Sequence, residues 1–122
     1  MIGYVMIGTN DLPRAAAFYD ALLAEIGGKR LMDFGTSIAW GVGADKPALG
    51  VGTPFNKQPA TVGNGCMVAL VVDSKDKVDR VYRKALELGG TDEGPAGPRG
   101  DSFYAGYFRD LDGNKLSAFC MG

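Results

Sequence analysis

Apolar residues recur along the chain with two periods, and the change of period marks its elements. The runs "MIGYVMIGT" (1 to 9) and "GCMVALVVD" (65 to 73) are short, rich in β-branched residues and bounded by turn formers, which predicts a strand in each. Between them Leu12, Ala16, Tyr19, Leu23 and Ile26 recur at spacings of four and three, the stripe of an amphipathic helix. Asp11 is placed to cap that helix, Pro13 falls in its first turn, where a missing N–H costs nothing, and Gly27-Gly28 end it. A second stripe, Val78, Val81, Ala85 and Leu88, starts after Asp73 or Ser74 and stops at Gly89-Gly90. Three strand-like runs, "KRLMDFG", "TSIAWGVG" and "ALGVGTP", follow the first helix. After the second come the Gly/Pro-rich loop "EGPAGPRGDS" and then "FYAGYFRD" and "NKLSAFC".

The two halves superpose at an offset of 62: residues 10 to 28 lie over 72 to 90, Asp11 over Asp73 and Gly27-Gly28 over Gly89-Gly90. The plan is β-α-β-β-β, twice. Units of this size are marginal alone, so the two are expected to share a core. The segment "TPFNKQPATVGNG" (53 to 65) lacks apolar periodicity and reads as the connection. The expectation is one α+β domain over 1–122, made of modules at about 1–55 and 64–122 joined by a linker at about 56–63.

Composition narrows the chemistry. A net charge of -1, with Lys and Arg scattered, gives no footprint for nucleic acid or an anionic membrane. The N-terminus lacks a signal-peptide pattern and no apolar run approaches the ~20 residues of a membrane span, so a cytoplasmic location is expected. Cys66 and Cys120 each sit in an apolar strand-like run, lack Cys-x-x-Cys spacing and read as buried free thiols. The chain has no histidine. That removes Ser-His-Asp and Cys-His catalysis, the usual zinc sets and the two-histidine iron site together, and leaves acid-base work to carboxylates, Tyr, Cys or Lys.

The C-terminal "RDLDGNKLSAFCMG" contains a turn at Asp112-Gly113-Asn114 and then a strand whose alternate residues Lys115, Ser117 and Phe119 share one face. "DLDGNK" is not a calcium loop, because its Gly stands fourth instead of sixth and no glutamate follows at the twelfth place. "GVGADKPALG" lacks the strand-to-helix setting and the Lys-Ser/Thr pair of a phosphate loop.

The stretches "YVMIGTNDLPRAAAFYDALL" and "FYAGYFRDLDGNKLSAFC" resemble the vicinal oxygen chelate superfamily, the group of glyoxalases, bleomycin resistance proteins and extradiol dioxygenases. The resemblance rests most on Asn-Asp-Leu with the following Phe-Tyr-Asp, and on Arg-Asp-x-Asp-Gly-Asn-Lys before the last strand. It implies paired four-stranded curved sheets with the helices outside, a cup between modules, and a homodimer that covers the sheet edges. It also implies a divalent ion held by His, Gln or Glu on the inner faces of the first and last strands of each module. Those positions fall on Tyr4, Gly50, Cys66 and Ser117. Phenol, thiol, hydroxyl and a bare backbone make a poor set for a hard or borderline divalent ion, and Asp33, the one carboxylate in a predicted strand, does not rescue it. The expectation is therefore no metal and no cofactor.

Six residues, Tyr4, Trp40, Cys66, Arg99, Tyr104 and Ser117, are candidates for ligand contact, with Tyr107 the alternative to Tyr104. Tyr4 either donates a hydrogen bond into the cup or packs as a core aromatic, and Cys66 is a cup thiol or simple packing without a visible activating neighbour. Trp40 is core or cavity wall. Arg99, in the Gly/Pro-rich loop, would suit a carboxylate or phosphate or stay exposed. Tyr104 and Tyr107 point to opposite faces of one strand, so at most one lines the cup. Ser117 can orient a polar group but lacks a histidine to make it a nucleophile. Three functions compete: a metal-free binder of a small organic ligand, a divergent lyase or isomerase acting on a small oxygenated substrate, and an interaction module whose cup is filled by side chains.

Overall fold

The computed structural model describes all 122 residues. In chain order the elements are β1 (Tyr4–Gly8), α1 (Leu12–Ala24), β2 (Lys29–Asp33), β3 (Ser37–Gly41), β4 (Ala48–Gly52), β5 (Val68–Val71), α2 (Lys75–Glu87), β6 (Thr91–Pro98), β7 (Phe103–Arg109) and β8 (Lys115–Met121). They form two four-stranded sheets, ordered β1-β4-β3-β2 and β5-β8-β7-β6. In each sheet the first and last strands of the module pair in parallel, and the other pairings are antiparallel. No helix is long and apolar enough to cross a membrane.

Each helix begins where its cap places it. The Asp11 carboxylate accepts the Arg14 N–H at 3.1 Å, and the Ser74 hydroxyl accepts the Lys77 N–H at 3.2 Å. Ser74, not Asp73, is thus the second cap, and Asp73 pairs with Lys77 instead. Measured from cap to cap the repeat is offset by 63, while the glycines that end the helices keep 62; the extra residue is taken up in the turn after α1.

The structure corrects the sequence reading at β6. The Gly/Pro-rich stretch expected as a loop is largely a strand, Thr91–Pro98, with two register shifts against β7. β6 lies at the sheet edge, where Pro95 and Pro98 withhold no required ladder donor and a bulge is tolerated.

One core of 18 buried residues serves both modules. The α1 stripe is broader than its predicted seam: Ala15, Phe18 and Leu22 are buried along with Ala16, Tyr19 and Leu23, because α1 meets α2 as well as its own sheet. The modules are further clasped by the turn before β8. Asp110, 5 % exposed, accepts the Tyr19 hydroxyl at 2.6 Å, and Asp112 accepts the Thr9 hydroxyl at 2.6 Å and the Asn10 N–H at 2.9 Å. Asn114 completes the clasp by donating to the Gly8 carbonyl at 2.8 Å. "RDLDGNK" is a structural motif that ties the end of the chain to its beginning.

Candidate functional site

Each sheet turns one face to its helix and leaves the other open. On the first sheet the open face carries Tyr4 and Met6 of β1, which pair with Ala48 and Gly50 of β4, and Gly50 pairs in turn with Ala39 of β3. A Cβ on Gly50 would stand 2.2 Å from the Met6 sulfur, so that thioether occupies the space of the missing side chain. Tyr4 is 70 % exposed, its phenol projecting from this face.

On the second sheet the open face is built by β7 and β8. Ser117 pairs with Tyr107, Phe119 with Ala105, and Lys115 with Arg109, and the Phe103 ring stacks on Phe119 with centroids 5.3 Å apart. β5 adds Ala69 beside Ser117 and Val71 beside Phe119. The Arg99 guanidinium lies 5.4 Å from the centre of the Tyr107 ring, and the Lys115 ammonium lies 5.7 Å from the same centre. Arg109 is held by Glu93, and this guanidinium draws the Glu93 carboxyl below the usual carboxylate range.

Arg99, Tyr107 and Ser117 are thus gathered on one face, while the other expected residues lie elsewhere. Trp40, left open between core and wall, belongs to the core: it is 1 % exposed, packs against Tyr19 and donates its indole N–H to Asp20 at 2.9 Å. It also borders an apolar groove of about 490 Å³ between the end of α1, the β3–β4 connection and the free edge of β5. Asp20 is held below the usual carboxylate range, chiefly by its two bonds from Arg30. Tyr104 also faces the helices, its hydroxyl donating to Asp79 of α2 at 2.7 Å, so Tyr107 is the tyrosine on the open face. That bond, ahead of burial, raises the Tyr104 phenol above its ordinary range.

Cys66 is displaced by the one-residue slip in the repeat. It stands exposed, not buried as expected, in the turn before β5, its N–H bonded to the Gly63 carbonyl at 3.2 Å, and Met67 takes the place equivalent to Tyr4. Because side chains alternate along a strand, a shift of one residue changes the face they occupy. Sequence reasoning placed Lys115 and Phe119 on the Ser117 face without counting them as contacts, and it passed over Phe103. Period-two counting outward from Ser117 finds Lys115 and Phe119, but the partner of Phe119 depends on the β7–β8 register, which the turn alone does not fix.

A divalent metal, which this fold family implies, does not fit these positions. The two sheets offer a phenol at Tyr4, bare backbone at Gly50 under the Met6 thioether, a second thioether at Met67 and a hydroxyl at Ser117. None is a carboxylate or imidazole, and no three Asp, Glu or Cys side chains converge to replace them.

The Glyoxalase/Bleomycin resistance protein/Dioxygenase superfamily model matches residues 1–117. The chain belongs to this superfamily. A glyoxalase/bleomycin resistance protein from Albidiferax ferrireducens T118 is similar along its whole length, with 35% identity over 100% of this chain and 99% of that one and a TM-score of 0.92. Two further solved structures share the fold. One is a putative glyoxalase from Bacillus halodurans, at 21% identity, 98% and 95% coverage and TM-score 0.78; the other is a lactoylglutathione lyase from Agrobacterium tumefaciens, at 21%, 98% and 92%, and 0.71. No curated protein matches the chain.

Proposed function

We infer that the protein binds a small organic ligand on its open sheet faces without a metal, in a cup completed by pairing two copies of the chain. The observation that carries the reading is the donor set: Tyr4, Gly50, Met67 and Ser117 stand where metal ligands are expected and suit hydrogen bonding and apolar contact instead.

Pairing is supported by surface. A compact monomer of 12.8 kDa exposes about 6,300 Å², and this chain exposes 7041 Å². The excess approaches the ~800 Å² that one partner contributes to a standard interface. Exposed Tyr4, Met6, Met67 and Val71 lie on or beside the open faces, where a second copy would cover them.

A thermal-shift screen of small aromatics and organic acids, with and without a chelator, tests the reading. A ligand at 100 times its dissociation constant adds about 2.7 kcal/mol of stability, and the chelator should leave that unchanged. Stoichiometric metal by elemental analysis overturns the metal-free cup. A species of 12.8 kDa persisting at high concentration in sedimentation equilibrium overturns the paired one.

A further inference from the structure

The second sheet's open face bears on which ligand the cup takes. Along β8 it runs from Lys115 through Ser117 to Phe119, a change from charge to hydroxyl to aromatic ring across about 13 Å of strand. Arg99 is fixed at the charged side of this strip. Its Nη atoms donate to the carbonyls of Gly97 at 3.0 Å, Pro98 at 3.3 Å and Pro95 at 2.7 Å, which hold the guanidinium against Tyr107.

Neither Arg99 nor Lys115 has a carboxylate within ion-pair distance. Glu93, the nearby acid, is engaged by Arg109, with Lys115 a smaller influence on it. One carboxylate therefore faces three cations, and both uncompensated charges belong to half-buried side chains stacked on one ring. Ser117, 2 % exposed, lies beneath this pair in register with Tyr107. Cations already partly withdrawn from water and held in position bind an anion with less reorganisation than flexible surface lysines.

We propose, resting on the ligand-binding reading above, that this strip is an oxyanion subsite. It takes an organic carboxylate or phosphate ester whose charged end lies beside Arg99 and Lys115 and whose flat apolar part lies on Phe103 and Phe119. Ser117 supplies a neutral hydrogen bond between the two ends. The first sheet's face brings apolar surface and a phenol at Tyr4, Met6 and Gly50, and its register-placed cation, Lys29, stands on the far edge strand β2.

Calorimetric titration of the full chain with benzoate, phenyl phosphate and benzamide tests this. At least one of the two anions should bind tenfold or more tightly than neutral benzamide, and their order identifies carboxylate or phosphate as the preferred group. The double variant Arg99→Met/Lys115→Met should lose about tenfold in anion affinity and leave benzamide unchanged. Benzamide binding as tightly as both anions, or full anion affinity in the double variant, overturns the subsite while leaving a ligand-binding cup intact. Failure of all three probes also overturns the subsite, and the broader screen then decides the cup itself. Should loss of the Arg99 carbonyl contacts unfold the double variant, Lys115→Met alone carries the test, because that ammonium makes no hydrogen bond in the fold; unchanged anion affinity there counts against the proposal.

Discussion

At the scale of residues, the most consequential contact joins Tyr19 to Asp110. Tyr19 is fully buried, and burial, followed by the neighbouring Asp110 charge, pushes its phenol far above the ordinary value of 10.0. The unfolded chain releases that proton near pH 10 and the folded chain does not. Stability from this group is therefore complete below pH 10 and is lost as the pH rises beyond it, at about 1.4 kcal/mol per pH unit. Urea unfolding should show at least that slope above pH 10, where Tyr104 and Tyr82, also raised, add to it, and Tyr19→Phe should reduce it by about 1.4 kcal/mol per pH unit. Asp110 also accepts the N–H groups of Asp112 and Asn114, both at 2.9 Å. Asp110→Ala leaves a buried hydroxyl and two turn donors unmatched and should cost about 3 kcal/mol, read from the denaturant midpoint. The sequence presents these residues as part of a recognisable motif, but their task is invisible there: Tyr19 and Asp110 are 91 positions apart, and only the packing of one module on the other brings them together.

At the scale of elements, what repeats locally could be read and what depends on register could not. Both helices, their glycine stops and most strands follow from period and caps. β6 was hidden because its Gly and Pro content marks a loop everywhere except at a bulged edge. The placement of Cys66 failed by a single residue, since Asp73 and Ser74 are both competent caps and choosing between them moves every side chain of β5 to the other face. Ser74→Ala should accordingly cost about 1 kcal/mol, and Asp73→Ala, at an exposed ion pair, much less. Gly90 is required for another reason. A Cβ there would stand 2.6 Å from the Arg109 carbonyl and 2.8 Å from that of Ala85, where α2 turns into β6. Gly90→Ala should therefore lower stability by about 1–3 kcal/mol, measurable as a fall in the thermal midpoint.

For the molecule as a whole, two modules with one core explain why the open faces are available. Each helix spends its apolar surface on its own sheet and on the other helix, so nothing in the chain remains to cover the opposite side of either sheet. The repeat made this architecture legible, and with it Tyr4, Gly50 and Ser117 on the open faces, but not Met67. The polarity of the second sheet's face was not legible, because it is assembled from a loop arginine, two strands and a cross-strand register. If pairing covers these faces, substitution of Met6 by Asp should shift the sedimentation equilibrium toward the 12.8 kDa species with little change in helical circular dichroism. Retention of the larger species would locate the interface elsewhere.

The clasp at the turn before β8 carries a consequence for how the chain acquires its structure. Thr9 meets Asp112 across 103 positions and Asn114 meets Gly8 across 106, so the first strand and helix cannot complete their contacts until Asp112 and Asn114 have left the ribosome. Contacts of such sequence separation slow folding, since the intervening chain must be ordered before they form. During synthesis the buried side of α1, with Phe18 and Leu22, stays uncovered while the second module is still being made. Nascent chains truncated before Asp110 should therefore remain protease-sensitive, and protection should arrive late and over a narrow span of lengths.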